Sequence, residues 1–218
     1  MKTSLTFLAV LLLVSCSTVF RPYPWGPVLD KDGVQVFRRQ NEFLGLKPGI
    51  VFADIGASSG YYDAAMAVFL DSVTFFLNDI DYHCLNQRNL NKVLRYYSKL
   101  RGSAINATNT FHYVIGTPKQ TKLPDDTFDV IFSNATMHVI EYQDSILSDL
   151  YRNLKDDGSL YIRDEFTYNG EIKKCGSKKC GHNVLQYESF LQRMNQNGFK
   201  LTGETLEFGY PIYKFQKI

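Results

Sequence analysis

The sequence lacks the features that mark several large classes of protein. Its 218 residues carry a net charge of +2 without a long basic run, so composition gives no electrostatic footprint for nucleic-acid binding. Its longest apolar run, residues 5–14, is short for a membrane span, which takes roughly 20 apolar residues. It contains one tryptophan, four cysteines, no internal repeat and no low-complexity segment. With 44% apolar and 21% charged residues, the composition suits one packed domain with a short extra segment.

The N-terminal segment has the order of a secretory signal. Lys2 is the only charge before the apolar run, and small residues lead into Cys16. The Leu-Val-Ser-Cys ending resembles the lipobox of bacterial lipoproteins. We predict a lipoprotein-type signal peptide over residues 1–16, with a lipidated Cys16 that anchors the protein to a membrane of the bacterial cell envelope without spanning it. An ordinary cleaved signal or an uncleaved anchor, with Cys16 incidental, is the alternative.

Two further segments follow. Residues 17–33 are predicted to form a tether, because Pro22, Pro24 and Pro27 disfavour a helix. Residues 34–218 alternate between strand-like and helix-like periodicity, which predicts an α/β domain with a parallel sheet covered on both faces. The predicted strands are 50–54, 73–79, 111–115, 128–134, 159–163, 201–207 and 210–216, and the predicted helices are 35–46, 61–70, 82–99, 145–154 and 186–197. A turn is predicted at 156–158, and the last two strands have the spacing of an antiparallel hairpin.

The clearest indication of chemistry is the segment from Asp54 to Gly60, between a predicted buried strand and a predicted helix. A glycine loop in that context is typical of ligand binding. Gly56 lets the chain turn sharply and approach a ligand, and Gly60 lets the following helix pack against the strand. The helix N-terminus offers free N–H groups to an anion such as an amino-acid carboxylate. A tight turn without a ligand is the alternative.

An acidic residue at the end of the second predicted strand strengthens this interpretation. Asp79 lies about twenty residues past Gly60, where a carboxylate accepts hydrogen bonds from both ribose hydroxyls of a nucleotide. Asp81 competes for the role, but it has the position of a helix N-cap. We therefore predict that Asp79 binds ribose, with capping by both acids as the alternative.

Further motifs carry a resemblance to a known family. A Gly-Thr pair stands at 116–117, a Leu-Pro pair at 123–124 and Phe-Asp-Val at 128–130. Together with the glycine loop and Asp79, they resemble bacterial class I S-adenosylmethionine-dependent methyltransferases over about residues 38–215. NAD-binding Rossmann domains are the rival, but they usually carry G-x-G-x-x-G. Here Ser58 stands between the two glycines, which favours the sulfonium cofactor.

The resemblance implies a Rossmann-like three-layer sandwich with a mostly parallel seven-stranded sheet and an antiparallel C-terminal strand. It implies S-adenosyl-L-methionine as the cofactor, with Gly116 and Thr117 flanking the adenine. Ser58 replaces a glycine usual in the family, which is tolerable if its backbone angles are ordinary. The predicted cofactor-binding residues are Asp54, Gly56, Ser58, Gly60, Asp79, Gly116 and Thr117.

Two residues at the end of the fourth predicted strand are candidates for catalysis. His138 is the candidate base, since the unperturbed pKa of histidine lies near neutrality; a histidine that caps or packs is the alternative. Asn134 is placed to orient a polar group of the acceptor. It is not followed by Pro-Pro-aromatic, so the signature of nucleobase amino-methyltransferases is missing. We predict methyl transfer to an unknown small-molecule or lipid-like acceptor, with no nucleic-acid partner.

The remaining cysteines leave alternatives open. Cys84 falls in a predicted helix and is expected to be a buried apolar residue. Cys175 and Cys180 share a Gly/Lys-rich loop, where an exported protein favours a disulfide. Free thiols are the second alternative. The third is a metal or substrate contact, in which His182 adds a third possible zinc ligand without an evident fourth; our prediction is no metal.

The two parts of the sequence point to different compartments. The N-terminus predicts export, whereas the domain predicts a cofactor that is made in the cytoplasm. The protein is then an active methyltransferase at a membrane surface, or a lipoprotein that keeps the fold as a non-catalytic module binding a small molecule or a partner, or a chain whose N-terminal segment has another role.

Overall fold

The computed structural model describes residues 26–27, 29–176, 180–206 and 209–218. The predicted signal peptide, Cys16 and most of the predicted tether lie outside the described residues. Among the described residues, no helix has the length and apolar character needed to cross a membrane.

Strands and helices alternate along the chain, and the main sheet has seven strands in the order β3-β2-β1-β4-β5-β9-β8. Short 3₁₀ turns occupy Ile105–Ala107 and Met137–Val139. The helices are α1 (Lys31–Phe43), α2 (Tyr61–Ala67), α3 (Gln87–Arg101), α4 (Gln143–Asn153) and α5 (Tyr187–Gln196). The strands are β1 (Val51–Ile55), β2 (Thr74–Asp79), β3 (Thr110–Ile115), β4 (Phe128–Asn134), β5 (Leu154–Arg163), β6 (Phe166–Thr167), β7 (Leu185–Gln186), β8 (Phe199–Thr205) and β9 (Ile212–Lys217).

The strand directions confirm the predicted fold class. β1 to β5 pair in parallel, and β9 runs antiparallel to both β5 and β8. The strand order reverses between β1 and β4. β2 and β3 are added on one side of β1, and the chain then crosses to the other side, where β4 and β5 are added. In an open α/β sheet such a reversal opens a crevice at the carboxyl ends of the strands, where ligands bind.

Helices cover both faces of the sheet, and alternate strand residues enter two separate cores. On β4, Phe132 belongs to the core that includes residues of α1, α2 and α3, whereas Ile131 belongs to the core that includes residues of α4 and α5. Both side chains are fully buried. Since successive residues of a strand point to opposite faces, a strand buried on both sides needs an apolar run, as β4 has.

Two helices begin where a side chain caps them rather than where their apolar periodicity begins. α1 starts earlier than predicted, because Asp30 accepts a hydrogen bond from the Gly33 N–H at 2.8 Å. α3 starts later than predicted, at the cap formed by Asn86, which accepts from the Asn89 N–H at 3.0 Å. The prediction of Asp81 as a helix N-cap is wrong, since Asn86 caps α3.

The turn predicted at residues 156–158 is also wrong, because β5 runs through it. Leu154 is fully buried and pairs with Phe128, and the register of the β4–β5 pair then shifts before Val130. Gly158 is packed closely, since a Cβ there would lie 2.8 Å from the Phe128 carbonyl oxygen. The Asp-Asp-Gly sequence is therefore an irregularity inside a strand.

A buried side chain joins the loops at the amino ends of β2 and β3. Asn109 is 4% exposed. Its Oδ1 accepts from the Val73 N–H at 3.1 Å, and its Nδ2 donates to the carbonyl oxygens of Leu70 and Ile105 at 2.8 and 3.0 Å. One amide thus gives the Val73 N–H its acceptor and adds a donor to two carbonyl oxygens, which also accept from the Arg101 guanidinium and from the Asn109 backbone N–H.

Asn109→Ala is expected to lower the free energy of unfolding by about 1–3 kcal/mol, because it removes the acceptor of the buried Val73 N–H and one donor from each of two carbonyl oxygens. Chemical denaturation of the full chain measures the change. Asn106→Ala, in the exposed 3₁₀ turn nearby, is the matched control and is expected to stay within about 0.5 kcal/mol of the wild type. Equal effects of the two substitutions would contradict a stabilising role for Asn109.

Candidate active site

The carboxyl ends of β1, β2 and β4 surround a cavity of about 370 Å³, within the roughly 300–1,000 Å³ typical of small-molecule sites. We call it the first cavity. Its lining includes three of the residues predicted to bind the cofactor, namely Gly56, Asp79 and Thr117. The complete lining is Ile55, Gly56, Asn78, Asp79, Ile80, Thr117, Pro118, Thr121, Thr136, Val139, Ile140, Glu141 and Ile146.

The loop between β1 and α2 needs glycine at two positions. Gly56 has φ +84°, and a Cβ on it would lie 2.2 Å from the Thr136 Oγ1. Its N–H donates to the Asn78 carbonyl at 2.8 Å. Gly60 has φ +79°, and a Cβ on it would lie 2.3 Å from the Leu77 Cδ2. Glycine at position 56 therefore makes room for the Thr136 side chain in the cavity lining, whereas Gly60 allows α2 to pack on β2.

Ser58 connects this loop to the end of β2. Its φ of +52° lies in the left-handed region, so the condition of ordinary backbone angles is not met. Its N–H donates to the Asp79 Oδ2 at 2.8 Å, and the Asp79 Oδ1 accepts from the Asp81 N–H at 2.9 Å. The Asp81 carboxylate instead caps a turn outside the cavity, accepting from the His83 N–H at 2.8 Å. Each Asp79 oxygen keeps capacity for a further donor.

The turn after β3 forms another wall of the first cavity. Gly116 does not line the cavity, but a Cβ on it would lie 2.8 Å from the Gln120 carbonyl oxygen, so the turn closes only on glycine. The Thr117 N–H donates to the same carbonyl at 2.7 Å. The buried Asn78 amide donates to the Thr121 carbonyl at 2.7 Å. These bonds fix Thr117 and Thr121 beside the end of β2.

Asp54 lies beneath the loop, and it does not line the cavity. It is 3% exposed, next to the fully buried Asp63 of α2. The Asp54 Oδ1 and both Asp63 oxygens have no donor within the described part of the chain. Burial, helped by the charge of Asp63, raises the pKa of Asp54 well above its usual range, and burial raises the pKa of Asp63 to about 7. The raised pKa values favour a pair that shares one proton, with one carboxyl as the donor to the other.

Neither predicted catalytic residue lines the first cavity. The Asn134 Oδ1 accepts from the Arg163 guanidinium at 3.1 Å. The His138 Nδ1 lies 2.7 Å from the Asp164 Oδ1, and the backbone N–H of His138 donates to the Asp164 Oδ2 at 3.1 Å. The hydrogen bond between the His138 ring and the Asp164 carboxylate raises the pKa of His138 above its usual value, although burial opposes the shift.

The His138 ring lies in a second cavity of about 300 Å³. Val139 lines both cavities, so the two spaces share a wall. The lining of the second cavity is Ala135, His138, Val139, Asp164, Glu165, Cys175, Gly176, Cys180 and Tyr210.

The structure joins Cys175 and Cys180 in a disulfide, one of the three alternatives left by the sequence, with their Cα atoms 6.4 Å apart. The Cys180 Sγ lies 3.3 Å from the His138 Nε2. His182 is exposed, and its carbonyl oxygen accepts from the Cys175 N–H at 3.0 Å. Cys84 is half-buried in the turn before α3, so its assignment to a helix is wrong.

Several residues of the first cavity escape prediction from the sequence. Ile80 lines the cavity and is 57% exposed although it is apolar. Ile80 is an apolar residue between two acids just past a strand, and this position is a sequence signal from which it could have been predicted to line the cavity. Val139 and Ile140 gave no such indication, because their positions depend on the 3₁₀ turn after β4.

The model of the methyltransferase domain family matches residues 53–162, half of the chain. A search with the sequence found no match among curated proteins. The fold is similar to a SAM-dependent methyltransferase from Aquifex aeolicus, with TM-score 0.59 and 17% identity over 85% of this chain and 92% of that chain. It is similar to a TehB-like SAM-dependent methyltransferase from Corynebacterium glutamicum, with TM-score 0.52 and 15% identity over 84% and 87%. The cyclase SpnF is also similar, with TM-score 0.60 and 16% identity over 79% and 60%.

Asp63→Asn tests the buried acid pair. Burial raises the pKa of both carboxyls in the folded state, so their ionisation costs no stability below about pH 4 and costs increasingly more above it; for Asp63 the cost grows until the pH passes about 7. Thermal unfolding of the full chain between pH 4 and pH 8 is expected to show a smaller loss of stability with pH in the variant than in the wild type. Asp157→Asn, an exposed control, is expected to keep the wild-type slope. An unchanged slope in Asp63→Asn would refute the shared proton.

Proposed function

The chain belongs to the methyltransferase domain family, and we propose that it transfers a methyl group from S-adenosyl-L-methionine to a small-molecule or lipid-like acceptor. The observation that carries the proposal is the Asp79 carboxylate, which Ser58 holds in the wall of the first cavity. The cofactor, when bound, supplies a methyl group activated by a sulfonium. The chain then has to position the two reactants and keep water away from them.

The residues of the first cavity fit this cofactor. Asp79 has acceptor capacity for the two ribose hydroxyls. Ile80 and Thr117 provide walls for the adenine, and Gly56 lines the part of the cavity that we assign to the methionine part. The other predicted cofactor residues act by holding these in place, since they do not line the cavity: Asp54, Ser58, Gly60 and Gly116.

The second cavity is the space that we assign to the acceptor. It meets the first cavity at Val139, and a methyl group can pass only where donor and acceptor sites adjoin. His138 lies in this second space, and Asn134 ends the strand that leads into it. Of the two predicted catalytic residues, His138 lines this cavity, whereas Asn134 lines neither cavity and accepts from Arg163.

Asp79→Asn is expected to weaken the binding of S-adenosylmethionine and S-adenosylhomocysteine at least about 10-fold, since a hydrogen bond to a charged group contributes roughly 1.5–3 kcal/mol. Calorimetric titration of the full chain measures the dissociation constants. Asp81→Asn makes the same change of charge two residues away, outside the cavity, and is expected to bind both ligands like the wild type.

Turnover is measured as release of S-adenosylhomocysteine in the presence of small thiols, phenols and amines, detected by mass spectrometry. Release that depends on one acceptor class supports methyl transfer and identifies the class. A folded chain that binds neither cofactor form overturns the proposed function. Binding that Asp79→Asn leaves intact overturns the assignment of the first cavity.

We also propose that Cys16 is lipidated and tethers the domain to a membrane surface. The support is the order of Lys2, the apolar run and Cys16, followed by the Pro-rich residues 17–33.

The full chain expressed in a bacterial host is expected to be processed so that it begins at Cys16 and carries the added mass of acyl chains. Intact-protein mass spectrometry measures both. Cys16→Ser is expected to lose the added mass, while the control Cys84→Ser keeps it. A wild-type chain that carries no added mass would contradict the lipid anchor.

A further inference from the structure

The described residues of the segment between β6 and β7 include Cys175, Gly176 and Cys180, which lie beside the residues that follow β4 and β5. The two short strands pair in parallel, which closes the segment at its base. Within it, the Cys175 N–H donates to the His182 carbonyl at 3.0 Å, and the Val184 N–H donates to the Lys173 carbonyl at 2.9 Å. This small ladder turns the segment so that Cys175 and Cys180 both face the second cavity.

The segment is also tied to β5 by side chains. The Glu165 Oε1 pairs with the Lys173 Nζ at 2.7 Å, and the Glu165 Oε2 accepts from the Gly176 N–H at 3.4 Å. These contacts flank Cys175 on either side in sequence. They hold its sulfur at the carboxyl end of β5.

His138 approaches the cysteines from the opposite side with a fixed orientation. Asp164, which is fully buried, bonds to the ring Nδ1 and also accepts from the backbone N–H groups of His138 and Glu165. A carboxylate at Nδ1 favours the tautomer that carries its proton there, so the lone pair of Nε2 points at the Cys180 sulfur. The same carboxylate–histidine arrangement orients histidines that bind zinc.

We propose that Cys175, Cys180 and His138 form a zinc-binding site when the two cysteines are thiols. Their three ligand atoms lie within 4.8 Å of one another. In a tetrahedral site with Zn–S of about 2.3 Å and Zn–N of about 2.0 Å, sulfur and nitrogen ligands stand about 3.5 Å apart. The distance from the Cys180 Sγ to the His138 Nε2 is 3.3 Å.

The donor set and its surroundings select the type of metal. Two thiolates and an imidazole suit zinc better than the harder magnesium or calcium ions, which prefer oxygen ligands. Three protein ligands leave the fourth position open, as in catalytic rather than structural zinc sites. The second cavity provides space for that fourth ligand, a water molecule or a small molecule.

The zinc form and the disulfide exclude each other, because both use the same two sulfurs. Two equivalents of an external thiol reduce the S–S bond by exchange and are themselves joined in a disulfide, and the two cysteine thiols so formed release their protons when they bind the metal. The zinc form also assigns the Nε2 lone pair of His138 to a metal. It therefore replaces the role of general base that the sequence predicts for this residue.

The test is zinc binding by the full chain, purified in detergent, reduced with a phosphine, stripped of metal and titrated with zinc chloride against a chromogenic chelator. One zinc per chain is expected. Cys175→Ser and Cys180→Ser are each expected to weaken binding at least 100-fold. Asp164→Asn, which removes the partner of His138 but no ligand, is expected to weaken it about 10- to 100-fold.

Two controls distinguish this site from the ligand set that the sequence alone suggests. His182→Ala removes a histidine two residues from Cys180, and Cys84→Ser removes a cysteine outside the site; both are expected to bind zinc like the wild type. His138→Ala is expected to weaken binding at least 10-fold. Cobalt added to the wild-type chain is expected to give thiolate-to-metal charge-transfer absorption, which does not depend on any variant folding correctly.

A reduced chain that has both thiols free by chemical titration, yet binds no zinc and gives no such absorption with cobalt, overturns the proposal in favour of a purely structural disulfide. Zinc binding that depends on His182 and not on His138 overturns it as well. These outcomes are independent of methyl transfer, because the readout is the bound metal.

Discussion

The hydrogen bond from the Ser58 N–H to the Asp79 carboxylate is the contact on which the first cavity depends. It fastens the loop that leaves β1 to the end of β2, while Gly56 lies against Thr136 at the end of β4. The loop is thereby held between two strands in a left-handed conformation that Ser58 would not adopt without such support. The same bond fixes the orientation of the carboxylate, so that its remaining lone pairs face the cavity.

The acid pair beneath this loop reinforces that arrangement. Asp54 and Asp63 are both buried, and the charge of Asp79 is among the causes that raise the pKa of Asp54. Full ionisation of the pair would place repelling charges behind the loop that Asp79 holds. A proton shared by the pair would remove part of that repulsion and leave the Asp79 carboxylate as the charge that faces the first cavity. The glycine loop is thus stabilised from behind by protonation and from the side by hydrogen bonding.

Much of this architecture follows from local sequence. The alternating periodicity, the glycine loop and Asp79 predict the sheet class and the side of the sheet that carries the first cavity, because parallel strands end at a common edge. Boundaries were harder to predict. An Asp-Asp-Gly sequence normally marks a turn, yet the pairing of Leu154 with Phe128 carries β5 through it. Asn86 caps α3 because it accepts from the Asn89 N–H. Periodicity alone does not show that Asn86, and not Asp81, is the residue that caps the helix.

The second cavity could not have been predicted from spacing, because its parts are distant in sequence. His138 and Cys180 are 42 residues apart, and the closer His182 suggested a different set of ligands. Their meeting depends on the pairing of β6 with β7 and on Asp164, which are tertiary features. A local sequence pattern can identify a loop and the strand before it. A cluster that joins the ends of β4 and β5 to the segment between β6 and β7 depends on the whole fold.

One short turn links the two cavities. Met137 is buried in the core beside α4 and α5, and its carbonyl accepts from the Gln143 amide at 2.8 Å. The next residue, His138, is held by Asp164 in the second cavity, and Val139 lines both spaces. Because all three residues belong to one 3₁₀ turn, a displacement of His138 would reach the wall of the first cavity through a single peptide unit. The shapes of the first and second cavities are therefore set together, by the packing of Met137 and the carboxylate of Asp164.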